Sequence, residues 1–239
     1  MSTLLLRMAA PLQSWGVDSK FERRSTERMP SKSAVIGLIA SALGRKRDSD
    51  ISGLKTLRFG IRIDNEGVLL KDFHTAKHPY DEKRKYITNR YYLADAVFLV
   101  GLEGEMSFLT EIEQALQVPA FPLFLGRRSC PPEGRLLLGI RQSELLDALR
   151  KEPWLTSEYM KRKSPPQVIL RIFMDSDEKD LDAFYQKDVP ISFDQEHRQF
   201  GFRRVSEQKN PVVIINQNSY RASIVDKTNH DAFSEMEDQ

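Results

Sequence analysis

Residues 4–8, Leu-Leu-Leu-Arg-Met, form an apolar run that does not alternate with polar residues. Such a run, stopped by Ala9-Ala10-Pro11, reads as a short strand that is apolar on both faces. It is too short for a membrane span, which needs about 18 apolar residues, and Arg7 interrupts it. No basic leader precedes it, so a cytoplasmic protein is expected. Gln13, Ser14, Trp15 and Gly16 follow at once. A large aromatic and an amide directly off the end of a strand raise the question of what they hold.

Past this strand the hydrophobic period changes repeatedly. Residues 9 to 30 read as a polar loop, longer than an ordinary connection. "PSKSAVIGLIASALGRKRD" then starts a helix at Pro30-Ser31. Val35, Ile36, Leu38, Ile39 and Leu43 lie on its apolar face, Gly44 stops it, and Arg45, Lys46 and Arg47 follow. Gly37 and Ser41 would let it lie close to a sheet. "LRFGIRID" (57–64) and "GVLLKDF" (67–73) read as strands joined at Asn65-Glu66-Gly67. A basic, tyrosine-containing segment reaches about Tyr92. "LADAVFLVGL" (93–102) reads as a buried strand, and "SFLTEIEQALQ" (107–117) has helical spacing. "FPLFLGRRSCPPEGRLLLGI" reads as strand, Gly-Arg-Arg turn, Pro-Pro, strand. The order is βαββαβ, the ferredoxin-like pattern that the RNA-recognition fold shares, so the expected class is α+β. "SELLDALRKE" suggests a helix. "PPQVILRIFMD" and "VPISFD" suggest strands around a charged, turn-rich "SDEKDLDAFYQKD". "PVVIINQNSYRASIV" suggests a late strand pair, and the acidic end from Asp226 a loose tail.

The chain has 239 residues, 40% hydrophobic and 29% charged, with a net charge of only +2. Distribution says more than the total. Lys20, Arg23, Arg24, Arg28, Lys32, Arg45, Lys46 and Arg47 face only Glu22 and Glu27 in their segment, and a second basic run covers Lys71 to Arg90. Clustered cations beside aromatics point to a polyanion, against the simpler reading of a solvated surface. The single cysteine, Cys130, excludes an internal disulfide.

"KDFHTAKHPYDEKRKYITNRYYL" holds His74, Lys77, His78, Tyr80, Lys85, Tyr86, Arg90, Tyr91 and Tyr92. His74 and His78 are four apart, but Thr75 stands where a zincin needs Glu. A metal-independent ribonuclease would use His78 as base with Lys77 and Tyr80. A basic hairpin would instead grip phosphates and stack bases on tyrosines, and a plain solvated hairpin is the alternative to both. In "LFLGRRSCPP", Gly126 permits close backbone approach, Arg127 and Arg128 offer forked donors, and Ser129 offers a hydroxyl; an ordinary turn is the competing reading. Cys130 has no local His base, so a small half-buried residue is expected rather than a nucleophile. Ser31, Lys32 and Ser33 could hold a phosphate at the helix start or simply cap it. The full P-loop is absent. "RQFGFRRV" (198–205) lacks the glycine that an RNP aromatic motif requires.

"LLLRMAAPLQSWG", "RMPSKSAVIGLIASALG", "DFHTA", "YYLADAVFLVGL" and "FPLFLGRRSCPP" stand in an order that resembles the CasD family, the "Cas five" subunit of the type I-E CRISPR surveillance complex, Cascade. The resemblance covers residues 1 to 145, and weakly to about 208; the tail from Lys209 has no counterpart. It implies a ferredoxin-like core over 1–145 with a β-hairpin thumb at 74–92, a β-rich part at 146–208, and an extra strand with an acidic tail at 209–239. It also implies a non-catalytic subunit, needing no cofactor or metal, that caps the complex and holds the 5′ handle of the CRISPR RNA. The thumb would kink that RNA and contact the first backbone subunit. The large subunit would pack nearby, target DNA would be met only indirectly, and no membrane is involved. Type I-C relatives instead cut precursor RNA with Tyr, Lys and His side chains, so a metal-independent endoribonuclease is the alternative. On this resemblance Gln13, Trp15 and Gly16 meet the handle, although Trp15 could equally plug the core. Arg23, Arg24, Arg28, Arg127 and Arg128 hold phosphates, with Ser31, Lys32, Ser33, Gly126 and Ser129 beside them. His74, Lys77, Arg90 and Tyr91 meet the kinked backbone and the neighbouring subunit.

Overall fold

The computed structural model describes residues 1–16, 23–78, 80–177, 180–194 and 196–220, with side chains at all of these except 78 and 81–84. The leucine run is strand β1 (Ser2–Ala9). Leu4, Leu6 and Met8 enter one hydrophobic cluster and Leu5 another, so both faces are covered as expected. Short strands β2 (Leu12–Gln13) and β3 (Arg23–Arg24) precede helix α1 (Lys32–Ala42), a single turn α2 (Ser52–Lys55) and β4 (Arg58–Asn65). The two longest strands, β5 (Val68–His78) and β6 (Asp81–Ala94), lead to β7 (Val97–Gly104), α3 (Met106–Gln117), β8 (Leu137–Arg141), α4 (Leu145–Lys151) and α5 (Glu158–Lys163). Strands β9 (Gln167–Leu170), β10 (Ile172–Asp175), β11 (Phe184–Ser192), β12 (Gln199–Glu207) and β13 (Val212–Ile215) follow.

Seven strands form one sheet in the order β11-β12-β10-β4-β7-β1-β8, each pair antiparallel. Helices α1 and α3 cover one face, burying Val35, Ile36, Ile39, Leu109 and Ile112 with Phe59, Phe98 and Val100. Helix α4 covers the other with Leu145 and Leu149 against Leu99, Ile172 and Met174. Because β10 joins β4, residues 146–208 extend the sheet built by the first 145. No helix among the described residues is long and apolar enough to cross a membrane.

Helix α1 starts where the sequence indicates. Ser31 is its N-cap, and its hydroxyl accepts from Ala34 N at 3.3 Å. At the other end Gly44 N donates to Ser41 O and Arg45 N to Ala40 O, which satisfies the last carbonyls. Gly37 packs on the Phe193 ring rather than on the sheet.

Four local readings change. The strands on either side of the Asn65–Gly67 turn stand as read, but the hairpin is longer than 74–92: β5 pairs with β6 over 68–94, away from the main sheet. The apolar stretch at 121–125 is irregular: Pro122 removes a donor, and only Leu125 is buried. Phe184 to Asp188, read as part of a turn-rich segment, lie in β11. Within the late apolar stretch, β13 pairs with β9 instead of forming a strand pair of its own. The acidic end from Asp226 lies outside the described residues.

Two buried charge networks tie the later strands to the first ones. Arg62 is fully buried and donates to both Asp64 oxygens and to the carbonyls of Leu149, Glu152 and Pro153. It thereby donates to carbonyls at and just past the C-terminal end of α4. Arg203 donates to Asp188 at 2.6 and 2.9 Å and to Asp175 at 2.7 Å. Asp188 accepts the backbone N–H of Lys32, and Asp175 accepts the Lys32 ammonium and Phe59 N. Removing one member of such a buried set leaves the others uncompensated. Arg203→Ala is therefore expected to lower unfolding free energy by about 3–5 kcal/mol, read as a shift in the urea midpoint.

Candidate nucleic-acid interface

Gln13 and Trp15 are both interior. Gln13 is fully buried; its amide nitrogen donates to Ala96 O at 2.6 Å and to Met8 O at 3.4 Å. Its amide oxygen accepts the indole N–H of Trp15 at 3.2 Å. Trp15 is 1% exposed and belongs to the core cluster, so its ring has no face for a base. The expectation that these two side chains meet RNA is corrected here: the amide and the indole satisfy each other and plug the end of the sheet. Gly16 is exposed.

The plug organises what lies outside it. β2 pairs with β6 at Leu12–Ala94 and Gln13–Leu93, and β3 runs parallel to β6 with Arg23 beside Asn89 and Arg24 beside Arg90. Trp15 N donates to the Thr26 hydroxyl and Glu27 N donates to Trp15 O, which fixes the segment leading to the exposed Arg28. From the other side, Ser14 N donates to Leu125 O. Gly126 has φ +87°, and a Cβ there would fall 1.6 Å from Ser14 O, so only glycine lets the turn close on Ser14. Arg127 then donates to Arg24 O at 2.9 Å and lies 4.5 Å over the Tyr92 ring, while Arg23 lies 5.2 Å over Tyr91.

The result is a rim of Arg23, Arg24, Arg90 and Arg127, with Arg128 and Ser129 exposed on the same turn. Like charges placed side by side in register repel. Among the described residues no carboxylate pairs with these arginines, and Arg90 Nε and Arg127 Nη1 are buried without a hydrogen-bond partner. Cations assembled in this way invite an anion.

The β5–β6 hairpin carries the pattern outward. Lys77 is exposed and sits opposite Lys85, and His74 Nε2 is 2.8 Å from Asp72. Phe73, Tyr80, Tyr86 and Ile87 are exposed along it. The side chain of His78, the base of the ribonuclease reading, lies outside those described.

One other expectation changes. Ser31, Lys32 and Ser33 are buried, and the N-terminus of α1 already faces the Asp188 carboxylate. That carboxylate occupies the position an external phosphate would need. Nothing in the sequence near Lys32 signals Asp188, because the partners are 156 residues apart. Cys130 is buried, and burial pushes its thiol above the ordinary value, against a nucleophilic role. Among the described residues no three His, Cys, Asp or Glu side chains gather as a metal-ligand set.

Residues 3–206 match the family described as CRISPR-associated protein (Cas_Cas5). The chain belongs to this family. A relative is the CRISPR system Cascade subunit CasD of Escherichia coli (strain K12), 36% identical over 164 residues, which are 59% of this chain and 72% of that protein. A solved structure entitled "Crystal structure of Cas protein" is similar with a TM-score of 0.69 at 38% identity, over 91% of this chain and 97% of that one. A chain of a structure entitled "CRISPR RNA-guided surveillance complex" is similar with a TM-score of 0.75 at 28% identity, over 95% of this chain and 100% of that one.

For this family member the contact of Gly126 with Ser14 has a measurable consequence. Gly126→Ala is expected to destabilise by at least about 1–3 kcal/mol from backbone strain, with the steric clash added. Chemical denaturation followed by tryptophan fluorescence will show it as an earlier midpoint.

Proposed function

We propose that this chain is the CasD-type subunit of a type I-E Cascade complex in the cytoplasm, where it caps one end and holds the 5′ handle of the CRISPR RNA. The observation that carries this reading is the in-register pair Arg24–Arg90 beneath Arg127, cations with no carboxylate partner among the described residues. Phosphates of a single strand are the anions that such a row matches, and Tyr91 and Tyr92 stand beside them. Arg23, Arg28, Arg128, Gly16, Gly126 and Ser129 complete the surface. The β5–β6 hairpin acts as the thumb: His74 and Lys77 meet the kinked backbone, and its exposed apolar residues meet the first backbone subunit. The large subunit packs nearby, and target DNA is reached only through the assembly. The names of the Escherichia coli relative and of the surveillance-complex structure support the membership. The sheet order β4-β7-β1-β8, with crossovers through α1 and α3, supports a ferredoxin-like core.

The test replaces exposed arginines. Arg24 lends Arg127 a backbone carbonyl, which alanine keeps. A chain carrying Arg23→Ala, Arg24→Ala and Arg128→Ala is expected to bind guide RNA more weakly, with a log–log salt slope shallower by roughly 2, about 0.7 for each lost contact with a single strand. An unchanged slope overturns the assignment of these residues.

A second reading, a metal-independent endoribonuclease, is favoured by the contact of His74 with Asp72, which can orient an imidazole for proton transfer. The binding reading predicts that repeat RNA incubated with the chain in EDTA stays intact on a denaturing gel. Specific cleavage lost in His74→Ala would establish the enzyme instead.

A further inference from the structure

The stretch RQFGFRRV (198–205) runs into β12, and none of its residues belongs to the arginine rim. Met174 of β10 packs with α4 and pairs with Ser206 of β12. Side chains alternate along a strand, so Ser206, Arg204 and Phe202 share the face of the sheet that α4 covers. Arg203, between them, points to the opposite face, where it meets Asp188 and Asp175. Tyr185 of β11 pairs with Arg204 and joins the α4 face, as does Lys187 beside Phe202.

This end of the face is open. The cluster beneath α4 takes no residue from β11 or β12, and Tyr185 is 71% and Phe202 65% exposed. Arg204, held through Nη2 by Asp180 O, lies 6.0 Å over the Tyr185 ring, and Lys187 Nζ lies 5.9 Å over that of Phe202. Cations at the outer limit of cation–π contact leave room on the rings. Asp180 and Asp182, which precede β11, are engaged by Ser176 and Lys209.

Tyr185 stands opposite Arg204, and Phe202 lies two residues from Arg204 along β12. That diagonal relation separates side chains by roughly 7–8 Å. Two open rings on neighbouring strands are what the sheets of RNA-recognition domains present to successive unpaired bases. The RNP glycine is absent, but stacking needs the rings and not the glycine. A protein partner suits the face less well, because lysine is depleted in protein–protein interfaces. A single strand uses both kinds of group, its bases on the rings and its phosphates on the cations.

We infer that the open face of β11 and β12 is a second site for single-stranded RNA, where Tyr185 and Phe202 stack two consecutive bases and Lys187 meets a phosphate between them. The platform stands on its own geometry, apart from the rim; the choice of RNA rather than DNA rests on the RNA-holding reading above.

The experiment uses the purified full chain, with and without the three rim substitutions above, and a short labelled single-stranded RNA of mixed sequence, with DNA of the same sequence as a second probe. Tyr185→Ala and Phe202→Ala remove exposed rings, so the fold is expected to hold while each weakens RNA binding roughly tenfold, in both backgrounds. Tyr185→Phe keeps a ring and should keep the affinity. Neither alanine substitution should alter the salt slope, whereas Lys187→Ala should make it shallower by about 0.7. RNA carrying 4-thiouridine should crosslink on irradiation to peptides holding Tyr185 or Phe202. If neither ring matters to affinity but the rim substitutions flatten the slope, the platform is overturned and the rim stands. If the rings matter and the rim substitutions do not, the platform stands and the rim falls. Tighter binding of the DNA overturns the choice of RNA. Loss of self-association in sedimentation, with RNA binding intact, makes the face a protein contact and overturns the platform. If the wild type binds no RNA at all, both fall together.

Discussion

A carboxamide sealed from water must find every partner within the protein, and Gln13 does so at the one point where the architecture converges. Its nitrogen reaches the end of β1 through Met8 and the start of β7 through Ala96; its oxygen holds the Trp15 indole. Two adjacent strands of the main sheet and the loop that leaves it are thereby fixed to one side chain. Everything polar on the rim is hung from this knot: Thr26 and Glu27 from the Trp15 backbone, the Gly126 turn from Ser14, and β6 from Leu12 and Gln13. An apolar residue at position 13 would fill the volume but remove a donor from two carbonyls and the acceptor of the indole N–H.

The charged residues divide into two populations with opposite logic. Those inside are matched. Arg62 uses its donors on one carboxylate and three carbonyls, and Arg203 is shared between Asp175 and Asp188. Among the described residues those on the rim are not: Arg24 stands beside Arg90 with Arg127 over both strands, and the compensation recorded there comes from tyrosine faces and a carbonyl. In a chain with a net charge of only +2, that separation is what gives one surface a strong positive potential. Arg23 and Arg127, laid over tyrosine rings, have less side-chain entropy left to lose on meeting a polyanion than free arginines would.

The sequence displayed the local elements well. The non-alternating leucine run, the Ser31 cap, the Gly44 stop and the helical spacing of Leu109, Ile112 and Leu116 each determine structure within a turn or two. Pairing was less legible. Asn65-Glu66-Gly67 announces that the chain turns, but a turn does not say which strand becomes a neighbour; β7 took the place beside β4, and β5 went to β6. The direction of Trp15 was not legible, because an indole at a strand end suits a surface and an interior equally. The Lys32–Asp188 contact was beyond reach, since no local pattern reports a partner so distant in the chain.

The two outermost strands of the seven-stranded sheet are both irregular. In β11 the pairing register shifts on either side of Val189–Pro190, and proline has no N–H to offer. Beside β8 the register of β1 shifts between Leu5 and Leu6, and Gly139 has a positive φ of 99°. Broken edges are poor templates for a further strand. Copies of this chain that meet side by side in a crowded solution are thus denied the ladder along which they would zip into sheets and precipitate.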